Sequence, residues 1–293
     1  MDLLTQLNRA MVYVEEHIRD DIKLADVSSV TMYSEYHFGR LFYYIAEMPL
    51  SEYIRKRKLS LAAMDLQSGS DKVIDLAVMY GYDSADSFTR AFVKQHGVTP
   101  TAARKSGVEL KIFPPINFQI KIRGVQKMNW RIEQKEAFEV FGIERIFNND
   151  ETTKVPGFWD ECHENGSYEK LFDDAKGVRS NPPKPGICTV YAVCGYYETE
   201  EKTFPYMICA SKTKGCKTDG YKIAQIPKTT WAVFRSDESD NVGIHISQLF
   251  NRAYSEWLPS SGYDKVAGPD IEMFGVAKNG KFFEEVWIPV KKK

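Results

Sequence analysis

Apolar and polar positions repeat one pattern twice in the first hundred residues, with an offset of about 50 positions. The first copy reads Leu24-Ala25-Asp26-Val27-Ser28, then Met32-Tyr33-Ser34, then Phe38-Gly39-Arg40-Leu41-Phe42. The second reads Val73-Ile74-Asp75-Leu76-Ala77, then Gly81-Tyr82-Asp83-Ser84, then Phe88-Thr89-Arg90-Ala91-Phe92. Each copy predicts a short helix, a tight turn, and a second helix capped by Ser and carrying Phe-x-Arg-x-Phe at helical spacing. This is a tandem helix-turn-helix pattern. Two second helices held apart by a helix of fixed length suit two successive major-groove segments of DNA, roughly 34 Å apart.

Around these copies, Leu4, Leu7, Met11, Val14 and Ile18 predict an amphipathic helix over 3–20. Pro49-Leu50-Ser51 opens a long helix to about Gln67, which Ser68-Gly69-Ser70 ends. Gly97-Val98-Thr99-Pro100 closes the second copy, and a last short helix holds 102–105. From Leu110 the texture changes to strand formers, and residues 116–122 alternate with period two. Candidate strands follow at 131–145, 187–198, 204–211, 221–226, 229–235 and 284–290, with helices around 156–172 and 243–257. Strands broken by helices without regular alternation predict an α+β sheet domain. The expected organisation is therefore an all-α DNA-binding domain at 1–107, a linker at 108–128 and an α+β domain at 129–292.

Composition adds little to the DNA reading. Residues 1–107 hold 13 Lys and Arg against 14 Asp and Glu, so nucleic-acid binding must rest on local charge. Arg55-Lys56-Arg57-Lys58 is such a run, either a solvated helix face or a phosphate contact. The five cysteines form no Cys-x-x-Cys pair, and fit reduced thiols packed as small hydrophobes. No run approaches the roughly 20 apolar residues that span a bilayer. Met1 to Gln6 show no basic leader, and a cytoplasmic location without membrane contact is expected. No metal-ligand spacing, Gly-rich phosphate loop or catalytic set stands out, so no cofactor, metal or catalytic residue is expected.

The first hundred or so residues resemble the DNA-binding domain of the AraC/XylS regulators. The resemblance rests on Tyr53-Ile54, Arg57, Ala63 and Leu66, on Leu76-Ala77 through Gly81-Tyr82, Ser84, Ser87-Phe88, Arg90 and Phe92, and on Gly97-Val98-Thr99-Pro100 with Arg104. The remainder resembles a GyrI-like effector-binding domain. There the matching pieces are Phe158-Trp159, Thr203-Phe204-Pro205-Tyr206, Thr230 to Phe234, Glu256 to Pro259, Ser261-Gly262-Tyr263, Ile271 to Phe274 and Glu285 to Val290. The order of the two domains is similar to the Rob-type branch. The resemblance implies that Tyr36, His37, Gly39 and Arg40 of the first recognition helix face DNA. In the second it implies Ala85, Asp86, Ser87, Thr89 and Arg90, and Ser84, Lys94, Arg55 and Arg57 complete the expected contact set. Met32 stands where the family usually has a turn Gly, which predicts a different first turn.

In the second domain, period two puts Glu285, Trp287 and Pro289 on one strand face. A carboxylate beside a Trp suits an organic cation, by charge and by cation–π contact, and the resemblance points to the same Glu. The other reading of Glu285 is an ion pair with a Lys at a sheet edge. Tyr191, Tyr206, Trp159 and Trp231 are further ligand candidates or plain core, and Glu272 is a structural or a second pocket carboxylate. The expected function is sequence-specific regulation of transcription through double-stranded DNA, sensed through a small cationic or amphipathic organic effector. Two other readings remain. One is a GyrI-like hydrolase of small molecules fused to a DNA reader. The other is a regulator whose second domain binds proteins such as RNA polymerase.

Overall fold

The protein is described from a computed structural model covering residues 3–105, 107–119, 127–178, 180, 183–197, 199 and 203–293. Seven helices come first: α1 (Leu3–Glu16), α2 (Leu24–Ser29), α3 (Glu35–Ala46), α4 (Leu50–Ser68), α5 (Val73–Met79), α6 (Ala85–His96) and α7 (Pro100–Ala103). The chain forms two compact units. One holds residues 1–32 and 46–119; the other holds 33–45 and 120–293. The predicted helices are present, α1 ending four residues short of its expected 3–20 span. Ile18 is buried beyond that end.

In the first unit, Leu59, Ala62, Ala63 and Leu66 of α4 form a core with Leu76, Ala77, Tyr80, Phe88 and Phe92. Ser84 caps α6 by accepting the Ser87 amide, as its sequence position required. The segment after α7 is strapped to the unit rather than extended as a strand. The Phe113 amide donates to Ser60, the Ile116 amide to Tyr53, and Phe118 exchanges two bonds with Asn8. The rest of the candidate strand at 116–122 lies outside the described residues.

Among the described residues the second unit has ten strands: β1 (Asn129–Lys135), β2 (Phe138–Asn148), β3 (Gly186–Ile187), β4 (Val190–Cys194), β5 (Thr203–Ser211), β6 (Lys222–Ile226), β7 (Thr229–Arg235), β8 (Tyr263–Lys265), β9 (Asp270–Val276) and β10 (Phe282–Lys292). Its later helices are α8 (Val155–Glu164), α9 (Ser167–Asp174), α10 (Ile246–Arg252), continued by a π-turn at Ala253–Trp257, and α11 (Leu258–Ser260). The candidate strand at 131–145 is two strands. β9 was not anticipated, because its Gly-Pro approach reads as a turn.

All strands pair antiparallel, in the order β1-β7-β10-β9-β4-β5-β2-β6. Two halves repeat one connection. β2 leads through α8 and α9 to β4 and then β5; β7 leads through α10 and α11 to β9 and then β10. In each half the third strand lies between the other two, and β4 joins β9 at the seam. Period two gives the sheet two distinct faces. Tyr191, Val193, Met207, Cys209, Trp231, Val233, Ile271, Met273 and Trp287 form the cluster on one face. Ala192, Cys194, Phe204, Tyr206 and Ile208 lie on the other, with Phe158, Cys162 and Leu171 of the helices.

The two helix-turn-helix copies solve the same turns differently. Gly81 adopts φ +79° in the second turn. No left-handed residue occurs in the first turn, where the Met32 amide donates instead to the Gln6 side chain. After the recognition helices the asymmetry reverses in cost. Gly97 follows α6 at φ +79°, and the corresponding residue after α3 is Glu47, at φ +56°. A Cβ in that region is strained by about 1 kcal/mol or more. Glu47→Gly should therefore raise stability by about 0.5–1 kcal/mol despite the added freedom of the unfolded chain. Urea denaturation of the two proteins measures it, and a lower midpoint for the variant would show that Glu47 gains more from its surroundings than its backbone loses.

Candidate DNA-reading helix and buried carboxylates

α6 turns Phe88 and Phe92 inward, which leaves Asp86, Arg90 and Lys94 exposed at i, i+4 and i+8. Ser84 is exposed and Ser87 and Thr89 half-buried on the same helix start. The Ser87 hydroxyl donates to the Ser84 carbonyl. Together they make an exposed polar face of the expected composition.

The basic run on α4 is not one face. Four consecutive residues on a helix spread around it at about 100° each. Arg55 is exposed. Lys56 pairs with Glu52 at 2.8 Å, and Lys58 donates to the Asp20 carbonyl. Arg57 is buried, held fork-to-fork by Glu15 at 2.9 and 2.6 Å and donating to the Phe113 carbonyl. In this structure Arg57, expected at a phosphate, serves as a structural cation.

α3 departs furthest from expectation. Tyr36, His37 and Arg40 were placed on DNA, but in this conformation they point into the second unit. Arg40 is 6% exposed, with Nε 3.2 Å from Asp270 and Nη2 2.9 Å from the Glu272 carboxylate. Its guanidinium lies 4.5 Å over the Phe250 ring and 5.3 Å from that of Tyr44. Tyr44 itself stacks on Phe250 at 4.6 Å. His37 Nε2 meets the Gly268 carbonyl at 2.9 Å, and its Nδ1 meets the Ser34 hydroxyl at 2.7 Å. Tyr36 packs against Phe204 and over Gly195.

The ligand candidates separate onto the two sheet faces. On the helix-bearing face, the Trp159 indole donates to the Tyr206 hydroxyl at 2.9 Å, which donates to Glu272 at 2.8 Å. Glu272 and Asp270 alternate along β9, so both point to Arg40. Asp270 is fully buried and also meets Lys265 at 2.9 Å. Burial works to raise the Asp270 pKa, but the Lys265 and Arg40 charges hold it below the ordinary value. Burial opposes the Arg40 charge too, and its anionic neighbours, Asp270 among them, keep its pKa well above ordinary.

On the opposite face, Glu285 is 2% exposed and accepts a two-pronged bond from Arg131, both arms at 2.8 Å. The Trp287 indole donates to the same carboxylate at 3.1 Å. Lys135 lies 4.3 Å over the Trp287 ring, and Trp231 meets it edge-on at 6.1 Å. Tyr191 hydrogen-bonds Ser211 on that face. The alternative of an ion pair for Glu285 is thus realised in this conformation, with Arg rather than Lys. A cleft of about 370 Å³ opens elsewhere, lined by Arg235, Asp237, His245, Gln248 and Arg252. Sequence reasoning missed Asp270, Phe250 and Arg131. The Asp270–Glu272 alternation was the available signal for the first.

Residues 131–290 match the family described as integron-associated effector binding protein, and residues 27–106 match a helix-turn-helix domain family. The chain belongs to that effector-binding family, joined to an AraC-type helix-turn-helix domain: it is a transcription regulator with a GyrI-like effector-binding domain. Among its relatives is the transcriptional activator AarP of Providencia stuartii, 35% identical over 100 residues, covering 34% of this chain and 74% of AarP. Right origin-binding protein of Escherichia coli is 33% identical over 106 residues, but the match spans only 36% of this chain and 37% of that protein. Of solved structures, SAV2435 bound to tetraphenylphosphonium superposes with TM-score 0.44 at 18% identity, over 56% of this chain and 94% of that one. Among the described residues no helix is long and apolar enough to cross a membrane.

His37 gives this region a pH dependence. Burial, with Lys265 nearby, lowers its pKa to about 4, against the favourable pull of Asp270 and the Gly268 carbonyl; Arg40 adds to the lowering. The docked state therefore binds fewer protons than the undocked one between about pH 6.5 and 4, and its stability is complete above that window and lost as pH falls through it. Amide exchange of residues 37–46, corrected for intrinsic rates, should speed up from pH 7 to pH 5. A flat response would show that His37 tolerates protonation in place.

Proposed function

We propose that residues 1–107 read double-stranded DNA chiefly through α6, and that residues 129–292 sense an organic cation at Glu285. The exposed Asp86–Arg90–Lys94 stripe, opposite a buried Phe88–Phe92 stripe, carries the DNA half of this reading. Ser84, Ser87 and Thr89 supply polar contacts, and Arg55 a phosphate contact. The effector half rests on chemistry already displayed at Trp287, where Arg131 and Lys135 place their own cations over the ring beside a buried carboxylate. Arg131 is 42% exposed at its side chain, so solvent reaches the pair. An organic cation would take the position that Arg131 now fills, with Trp231 as the neighbouring wall. A cytoplasmic site of action and contact with RNA polymerase at the promoter belong to the same reading. Hydrolysis is not favoured, since the Glu285 oxygens are taken up by a guanidinium and an indole rather than positioned against a water.

On a duplex selected from random sequence by the full chain, Arg90→Ala should weaken binding by about 1–3 kcal/mol. Arg55→Ala should lower the salt slope by about 0.9, the release from one phosphate. Arg57→Ala should instead destabilise the first unit by about 1–2 kcal/mol, because half-buried Glu15 loses its guanidinium and keeps the Tyr53 hydroxyl. Unchanged affinity in Arg90→Ala would remove α6 as the reading helix.

Tetraphenylphosphonium, a charge ringed by aromatic carbon, is a suitable effector probe. Glu285→Gln should weaken its binding at least about tenfold in calorimetric titration. The melting temperature should change little, because the Arg131 arm of the pair is half in water and such pairs contribute about 1 kcal/mol or less. A fall in melting temperature with unchanged affinity assigns Glu285 to structure and removes it from the site.

A further inference from the structure

The side chains of α3 expected to read bases are the ones that anchor it inside the second unit. A recognition helix has a buried apolar stripe and an exposed reading face. α6 keeps both. α3 buries Phe38, Leu41 and Phe42, and also His37, Arg40 and Tyr44. Contacts of different kinds hold this second set, and Tyr36 beside it. Arg40 sits between Asp270 and Glu272, and His37 is bonded to the Gly268 carbonyl. Tyr44 stacks on Phe250 and its carbonyl accepts from Asn251. Tyr36 lies where Gly195 leaves room: a Cβ there would stand 2.0 Å from the ring.

We propose that the Arg40–Asp270–Glu272 cluster is a latch that withholds the first recognition helix from DNA, so that only α6 is available until α3 undocks. The inference rests on the DNA-binding reading given above. Buried ion pairs add little net stability, but opening one strands a charge, which makes them suited to switching between two arrangements. If α3 leaves, Asp270 keeps Lys265, whereas Glu272 keeps only the Tyr206 hydroxyl. A latched helix also lowers apparent DNA affinity by the fraction of molecules in which it is free. Loosening the latch should therefore tighten DNA binding by freeing α3, without adding any DNA-contacting residue to the chain.

The full chain tests this with two variants that replace no residue of the expected DNA-contact set. Glu272→Gln keeps the shape and the Tyr206 bond but removes the charge facing Arg40. Gly195→Ala puts a methyl group where the Tyr36 ring lies. Fluorescence anisotropy on the selected duplex gives the affinity, amide exchange reports α3, and circular dichroism confirms the fold. Both variants should speed exchange over residues 37–46 and lower Kd about tenfold, with protection of the duplex extending from one major-groove segment to two. Faster exchange at unchanged Kd and footprint overturns the latch, as does unaltered exchange in both variants. If one variant does not fold, the other decides; Asn251→Ala, which removes the bond to the Tyr44 carbonyl and the one accepted from Ser255, is the reserve. Failure of the wild type and every variant to bind any duplex removes the regulator reading itself. Loss of binding in Arg90→Ala, with no response to Glu272→Gln, removes the latch alone.

Discussion

One guanidinium organises the second unit. Arg40 is enclosed by two carboxylates of β9 and by the ring of Phe250, and α3 is held through it. Moving that charge into a dry interior costs several kcal/mol unless partners compensate. Asp270 and Glu272 do so from one strand face, with Lys265 and the Tyr206 hydroxyl satisfying their remaining oxygens. Tyr206 in turn accepts the Trp159 indole, so a single polar chain runs from α8 through β5 and β9 to α3. No member of that chain can lose its partner without leaving a buried polar group unpaired.

The sheet explains why such a chain exists. Two halves with the same connection meet at β4 and β9, and the helices of both halves lie on the face that carries Phe204, Tyr206 and Glu272. The opposite face carries Trp231, Trp287 and Glu285. A strand separates neighbours by face, so carboxylates one or two strands apart serve different surroundings. Asp270 and Glu272 are met by Arg40 on one face, and Glu285 by Arg131 on the other. The second is open to water on its cation side and the first is not. That difference in access separates the Glu285 carboxylate from the anchoring pair on β9.

The repeated helix-turn-helix pattern is equally instructive where it breaks. Gly81 and Gly97 relieve the backbone of the second copy, while the first uses a Gln6 cap and a strained Glu47. The copy with the better local chemistry is the one whose recognition face stays exposed. The copy with the poorer turns gives its polar face to tertiary contacts.

Periodicity alone determined the helices of the tandem repeat, the change to strands after residue 110, the inward Phe88 and Phe92, and the shared face of Glu285 and Trp287. Those are local consequences of periods of 3.6 and 2, which a sequence carries openly. Three matters were decided only in the tertiary structure. Arg57 reads as one of four surface cations, yet Glu15, 42 positions away, makes it structural. Arg40 reads as a DNA contact, yet residues more than 200 positions away bury it. Glu272 and Glu285 read as two candidates for one pocket, yet strand register places them on opposite faces. A charge's role depends on which opposite charge reaches it and how much water is left, and neither is written in the spacing of one chain segment.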